Sequence, residues 1–393
     1  MRNKIQKVYQ ALDEYCKKSN YKGWDPFDGL NSKLFQASPF KYSRFFRLAW
    51  IQFFKRSPIN FRKLALVPKG YNAKGLALVV ASKCNMYKIK PEETLKKEIE
   101  TLANQLLELE NKEYAGACWG YNFDWQARAF FQPKNTPTVV ATTFVGFALL
   151  DAYDISKNQI YLERAVSSSQ FVLNDLNKTY DSDGDFIFSY SPKDSTQVFN
   201  AGLLGVRLLS RIYSYTKDAA LLDPCKKVVA FCAKHQQQDG SWAYSTLPYH
   251  SWIDSFHTGY NLECIMAYQR YCKDTTYQEH INIGFDYYIK NFFEPNGVPK
   301  YYNNNTYPID VHAVAQLVIT AITLDQFKDQ KERINSVLAW TMDHMKSNKP
   351  FFFYQKSKYF TTRIPYMRWT QAWMLYGLSA YLYADFKLNG EKG

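Results

Sequence analysis

The chain of 393 residues is long enough to bury a large core, and it carries a formal charge of +13 at pH 7 with a pI near 9.1, a balance that suits an acidic polymer or an anionic surface. Nucleic acid is disfavoured as that polymer, because the basic residues are dispersed and no Lys/Arg block, zinc-finger spacing or aromatic RNP-like motif occurs. Aromatic residues make up 17% of the chain, which suits either a thick helical core or a cleft in which sugar faces stack on rings.

The N-terminal Met1-Arg-Asn-Lys-Ile-Gln-Lys leads into a polar helix over Ile5 to Cys16 and lacks the apolar stretch of a secretory signal. No apolar run is expected to cross a bilayer. Asp-Pro and Asp-Gly turns follow in Tyr21 to Leu30, then a basic aromatic segment from Phe40 to Arg56. That segment reads either as a helix closing onto a larger domain or as an amphipathic helix at a membrane surface. Residues 1–60 are therefore expected as an N-terminal helical arm and 61–393 as the main domain.

From Tyr71 onward the pattern repeats. Apolar helices rich in small residues are predicted over Tyr71 to Tyr87, Pro137 to Tyr153, Thr196 to Tyr213, Phe256 to Tyr268, Asp310 to Leu324 and Arg368 to Tyr381. Their ends recur about every 60 residues, a period that marks a repeat architecture. Amphipathic helices alternate with them over Pro91 to Leu109, Gln159 to Leu176, Leu221 to His235, Tyr277 to Phe292 and Gln330 to Lys346. Short hairpin signals with Asp-Gly or Asn-Gly turns follow several of these, in Asp181 to Tyr190, Asp239 to Tyr244 and Asn296 to Tyr301, with the aromatic run Pro350 to Tyr354 in the equivalent place. Helix, hairpin, helix, six times over, predicts an all-α fold: an (α/α)6 toroid of six helical hairpins with short β-hairpins at its mouth. The N-termini of the inner helices then meet at one mouth.

The residues ahead of those helices carry the candidate chemistry. Asp124, Asp254 and Asp310 could form the acid and base pair of a glycoside hydrolase, with Asp25 and Asp28 as further carboxylates. Proton abstraction beside a uronic carboxylate, by a C5-epimerase or lyase, instead needs a tunable acid and base. His257, His250 or His312 with Tyr260 or Tyr366 fit those roles, and Arg128 or Arg368 could clamp the carboxylate through two parallel hydrogen bonds. Trp119, Tyr121, Trp125, Trp252 and Trp369 are candidate stacking surfaces. A metal site is not expected: the pairs Asp254/His257 and Asp310/His312 stand without a Cys cluster or H-E-x-x-H, and Asp181-x-Asp-Gly-Asp185 resembles a calcium loop without its downstream Glu. No cofactor is expected either, since no P-loop, G-x-G-x-x-G or G-x-S-x-G stands in a strand-to-helix context. The cysteines, Cys16, Cys84, Cys118, Cys225, Cys232, Cys264 and Cys272, form no C-x-x-C pair and read as reduced core thiols of a cytoplasmic protein.

Gln237-Gln-Asp-Gly-Ser-Trp242 is similar to the Q-x-x-D-G-S-W turn of squalene cyclases, but the D-x-D-D kind of motif that starts their chemistry is missing. Over nearly its whole length the chain resembles a bacterial family encoded in capsule, O-antigen and exopolysaccharide clusters. The segments that carry this are Gly23 to Asn31, Cys118-Trp-Gly-Tyr-Asn-Phe-Asp-Trp-Gln126, Ser251-Trp-Ile-Asp-Ser-Phe-His-Thr-Gly-Tyr-Asn-Leu262 and Tyr366-Met-Arg-Trp-Thr-Gln-Ala-Trp373. The resemblance implies a six-hairpin toroid of polysaccharide biosynthesis, distantly like glucuronyl C5-epimerases and six-hairpin glycosidases and lyases, and it transfers no catalytic residue. The expected partner is an acidic polysaccharide or a lipid-linked oligosaccharide, handled in the cytoplasm or at the inner face of the membrane, with peripheral contact to membrane or assembly machinery. A glycan-binding scaffold of that machinery and a terpenoid-cyclase-like enzyme are the alternatives.

Overall fold

Helices that are apolar all round must be covered on every side, and the small, apolar stretches of this chain form the inner wall of a ring. The computed structural model describes residues 1–127 and 131–390. The chain runs through α1 (Arg2–Lys18), α2 (Lys33–Ala37), α3 (Arg44–Arg56), α4 (Ala73–Ile89), α5 (Glu93–Glu108), α6 (Val139–Ser156) and α7 (Gln159–Gln170). It continues through α8 (Phe199–Thr216), α9 (Leu222–Lys234), α10 (Ser255–Cys272), α11 (Gln278–Phe292), α12 (Val311–Thr323), α13 (Lys331–His344) and α14 (Trp373–Gly390). Helices α4, α6, α8, α10, α12 and α14 each pack against the next, and α14 packs back against α4. Outside them α5, α7, α9, α11 and α13 cover α4, α6, α8, α10 and α12 in turn. The sixth outer position belongs to α1, which lies on α14.

That last pairing revises the expected division at residue 60. Ile5, Tyr9, Leu12 and Cys16 of α1 are buried in the same core as the ring. The buried Lys83 of α4 ties α1 and α5 together, with its ammonium 2.6 Å from Asp13 and 2.9 Å from Glu98. The part of the arm that stands apart is the segment from Leu30 to Val67, which has small clusters of its own built on Leu30, Phe35 and Ile51 and on Phe54, Ala65 and Val67.

The repeat is visible in local geometry. Asn72, Thr138, Asp254 and Asp310 each cap an inner helix by accepting a backbone N–H of its first turn, the standard use of these side chains. Lys157, Lys217 and Lys273 end α6, α8 and α10 with positive φ of 59°, 58° and 60°, a left-handed cap that usually takes glycine. Short strands lie between outer and inner helices. Strand β1 (Trp125–Gln126) pairs antiparallel with β2 (Phe131–Gln132), β3 (Lys178–Tyr180) with β4 (Phe186–Phe188), and β5 (Ile309–Asp310) with β6 (Gln355–Lys356), which pairs with β7 (Thr361–Thr362). The bridge Gly120 to Pro137 ties together the connection between α5 and α6, and the bridges Val198 to Ser245 and Asp254 to Tyr302 join successive loops around the mouth.

Two motifs singled out in the sequence prove to be packing devices. In the Gln237 to Trp242 turn, Gly240 has φ +91°, and a Cβ there would lie 2.3 Å from the Ile283 carbonyl oxygen of α11. Trp242 is buried and donates from Nε1 to the Cys232 carbonyl, so the turn clamps α9 to α11. The aspartates of Asp181 to Asp185 gather instead around Lys234, with Nζ 3.0, 2.6 and 2.6 Å from Asp181, Asp183 and Asp185. Helix α6, with mean hydropathy 1.4 over 18 residues, is long and apolar enough to cross a membrane, contrary to the expectation from sequence. Its place in the inner wall, against α4, α7 and α8, accounts for that composition.

Candidate active site

The start of α10 builds the site from one helical turn. Asp254 caps the helix by accepting the His257 N–H at 3.0 Å on Oδ1, and its Oδ2 takes the His257 ring Nδ1 at 2.7 Å. An Asp at the cap and a His three residues on are neighbours by helix geometry, so capping and ring orientation come from one side chain. Asp254 is buried, whereas the His257 side chain keeps 21% of its surface open. Around His257 stand Tyr244 at 4.8 Å and Phe256 at 4.1 Å between ring centroids. Tyr244 stacks on Trp252 at 4.7 Å, and His250 meets both edge-on while its Nδ1 lies 2.9 Å from Ser245 Oγ.

Below His257 lies a buried polar chain. Tyr260, one turn further along α10, has its hydroxyl 3.0 Å from His312 Nε2 and 3.2 Å from Lys74 Nζ. His312 is sandwiched between Phe256 at 4.4 Å and Trp373 at 4.2 Å, and its Nδ1 has no hydrogen-bonding partner among the described residues. Burial, reinforced by the nearby Lys74, holds His312 well below the usual imidazole range. Burial and then Arg368 hold the Lys74 ammonium well below the usual range too, and the group sits 4.4 Å over the Phe144 ring. His312 and Tyr260 are thus interior groups behind His257, with Tyr260 6.0 Å from it between ring centroids and Phe256 meeting both His257 and His312.

Asp310, the cap of α12, is fully buried. It accepts the His312 N–H at 2.9 Å and the Trp369 Nε1–H at 3.0 Å. Burial pushes its carboxyl up to about 7, with Asp254 adding to the rise and the hydrogen bonds of His312 and Trp369 and the charge of Lys55 opposing it. A carboxyl raised in the folded state holds its proton at pH values where the unfolded chain has lost it, so stability falls as pH rises from about 4 to about 7. Asp310→Asn keeps a capping oxygen and removes that titration. The gap between wild type and variant in urea unfolding is expected to move in the variant's favour across this window, by at most about 1.4 kcal/mol per pH unit. A gap that stays constant with pH would rule out the buried protonated carboxyl.

The turn Trp24 to Asp28 is pinned across the mouth. Arg368 binds Asp25 through two parallel hydrogen bonds of 2.6 and 2.8 Å. Arg62 binds Asp28 at 2.6 Å, the Tyr366 hydroxyl at 2.8 Å and the Asp25 carbonyl at 2.7 Å. Phe27, held between these pairs, packs on Trp369 and Trp125 at 5.6 and 6.4 Å, and Lys55 of α3 lies 4.8 Å over its ring. Beside this turn Trp24, Asp25, Asn72, Asn122 and Arg368 line a small recess.

Several expected roles change. Trp119 is fully buried and donates Nε1 to the Leu106 carbonyl, so it is a core residue and no stacking surface. Tyr366 is buried against Arg62, and Arg368 is engaged by Asp25, so neither is a free substrate contact. Asp124 accepts the Lys134 N–H at 2.7 Å and fixes its own loop. Tyr121 is buried and pairs with the Tyr190 hydroxyl at 3.1 Å, while Trp125 lies half-buried between Phe27 and Tyr190. Arg128 lies outside the described residues. The structure brings Asp254, His257, Tyr260, Asp310, His312 and Trp369 together, with His250 and Trp252 beside them. It adds Lys74, Tyr244 and Lys55, which the sequence reading did not select. A Lys in the first turn, directly ahead of the apolar run Leu76 to Ala81, was the available signal for Lys74.

No family model matches the chain, and no curated relative is found by sequence. The fold does match solved structures. A cellobiose 2-epimerase from Bacillus thermoamylovorans superposes with a TM-score of 0.60 at 13% identity, over 80% of this chain and 89% of that one. A GH76 α-mannanase from Bacteroides thetaiotaomicron gives 0.62 at 11% identity, over 81% and 88%, and an unsaturated glucuronyl hydrolase specific for heparin gives 0.58 at 13% identity, over 80% and 86%. At such identities the likeness is one of architecture, and this chain is an α/α toroid.

Proposed function

We propose that the protein is a carbohydrate-modifying enzyme of bacterial surface polysaccharide biosynthesis that transfers a proton at a sugar carbon of an acidic polysaccharide or lipid-linked oligosaccharide, as an epimerase or lyase does. The observation that carries this reading is the His257 Nδ1 to Asp254 Oδ2 contact of 2.7 Å at the mouth of the ring. Asp254 fixes the ring and its tautomer, which leaves Nε2 to accept a proton. In a uronic acid the C5–H bond electrons move toward the carboxylate as Nε2 takes the proton. Epimerisation returns a proton to the other face, and elimination expels the C4 substituent. The stacked Tyr244 and Trp252 offer a flat apolar wall for a sugar face. Lys55 beside the mouth and the formal charge of +13 favour an acidic substrate, whereas Arg62 and Arg368 are neutralised by Asp28 and Asp25. Solved toroids of the same architecture include a sugar epimerase, a mannanase and a glucuronyl hydrolase, and all seven cysteines here are free thiols, in keeping with work in the cytoplasm.

Hydrolysis is the second reading, favoured by Asp310, whose carboxyl is pushed up to about 7 close to Asp254 and so resembles a general acid beside a base. For the cyclase alternative, the Gln237 to Trp242 turn supplies packing of α9 on α11 and no reacting group. Incubation of the purified protein in deuterated buffer with the acidic glycan or lipid-linked intermediate of its own gene cluster separates the readings. Deuterium gain without cleavage means epimerisation, and absorbance of a new unsaturated uronate means elimination. Cleavage with neither overturns proton transfer in favour of hydrolysis, and saturable binding of an unchanged glycan makes the protein a scaffold.

A further inference from the structure

The segment Lys33 to Lys69 turns an unusual surface outward. On α3 the inward side buries Ile51 and Phe54, while Phe45, Phe46, Ala49, Phe53 and Arg56, spaced by helical turns, are exposed. Tyr42, Phe45 and Leu64 are 77, 72 and 76% exposed, values that a chain normally avoids for side chains of this size. Exposed rings contact one another along this segment. Phe46 touches Phe40 at 4.5 Å and Phe45 at 5.4 Å. Phe53 stacks on Phe61 at 5.4 Å, and Leu64 and Leu66, shortly after it in the chain, are exposed. The Lys33 N–H then bonds the Leu66 carbonyl and brings the exposed Leu34 alongside. Basic residues rim this patch, with Lys33, Arg44, Arg56, Lys63 and Lys69 all exposed, and no Asp or Glu occurs between Asp28 and Glu92.

An extended apolar surface marks an interaction site, and its charge selects the occupant. A protein groove would be expected to meet both signs of charge, whereas a bilayer presents phosphates in one plane above hydrocarbon, the order in which this face carries its Lys and Arg rim and its Phe, Tyr and Leu centre. We propose that residues 33–69 dock the protein on an anionic phospholipid bilayer. Phe40, Tyr42, Phe45, Phe46 and Leu64 enter the boundary between headgroups and tails, and the basic rim contacts the phosphates. Because Lys55 and Phe27 connect the inner side of the same segment to the mouth, docking holds the ring mouth next to the lipid surface. The proposal stands on this patch alone and does not depend on the reaction assigned to His257.

The test is cosedimentation of the full chain with vesicles of phosphatidylcholine containing phosphatidylglycerol and with vesicles of phosphatidylcholine alone. Binding to the anionic vesicles, weakened by salt, is the expected result. Tyr42→Ser with Phe45→Ser should weaken it by at least about tenfold, and Lys33→Glu with Lys63→Glu should weaken it on anionic vesicles only, with unfolding temperatures unchanged in both. Absence of binding to either vesicle, equal salt-insensitive binding to both, or binding untouched by the variants overturns the proposal. So does a concentration-dependent dimer that the Tyr42→Ser, Phe45→Ser variant dissolves, since a second copy would then be the occupant.

Discussion

His257→Ala is expected to lower turnover of the acidic glycan by about 10²–10⁴-fold, the range that a positioned proton-transfer group supplies, while the glycan still binds within a few-fold of wild type. The ring is partly open, but removing it leaves the buried Asp254 Oδ2 without its 2.7 Å partner, so the variant should lose about 1–3 kcal/mol of stability and still fold. Asp254→Asn is the sharper change. An amide oxygen can still cap α10 through the His257 N–H, but the carboxylate that orients Nδ1 is gone and the other ring tautomer becomes accessible. Turnover should fall with little change in KM, and the pH dependence of kcat should change shape, which a purely structural role would not produce. The reading fails if both variants keep wild-type turnover, or if they lose affinity and turnover in parallel, as a binding module would.

The second large effect concerns the clip across the mouth. Arg368→Ala leaves the buried Asp25 without its bidentate partner, and breaking a buried pair from one side costs about 3–5 kcal/mol. The loss should appear in urea or thermal unfolding, together with faster proteolysis near Trp24 to Asp28, because the Met367 N–H to Trp24 carbonyl bond and the Phe27 packing rest on the same clip. If the single variant proves too unstable to purify, Asp25→Asn with Arg368→Met removes both charges, and the double variant should be more stable than Arg368→Ala. A loss below about 1 kcal/mol in the single variant, typical of exposed pairs, would mean that the pair is wet and that the turn does not hold the mouth.

The ring was legible because its inner helices are apolar on all faces and recur with a steady period, features that survive without any tertiary knowledge. What misled the reading is local or very distant in the chain. Arg368 was expected to open the last inner helix. Met367–Ala372 instead forms a π-helical turn, as the side chains of Arg368, Trp369 and Gln371 reach sideways to Asp25, Asp310 and the Phe352 backbone; such turns often accompany site residues. Helix α1 showed its apolar spacing at Ile5, Tyr9, Leu12 and Cys16, but a period read along the chain cannot say that the partner is α14. Trp119 and Trp252 are both aromatic residues in loops ahead of inner helices. Only the fold decides that one donates to a helix carbonyl in the core and the other stacks beside His257.

The pairing of α1 with α14 also makes the ring depend on contacts that are far apart in the chain. Helix α1 lies mainly on α14, from the far end of the sequence, as the Arg2 to Asp385 contact illustrates. Until α14 docks, the stacked hairpins form an open arc with one uncovered edge, and chains with such long-range closure fold slowly and expose sticky surface meanwhile. Closing the circle therefore requires α14, and a chain cut before residue 373 would leave the sides of α1, α4 and α12 that meet it uncovered.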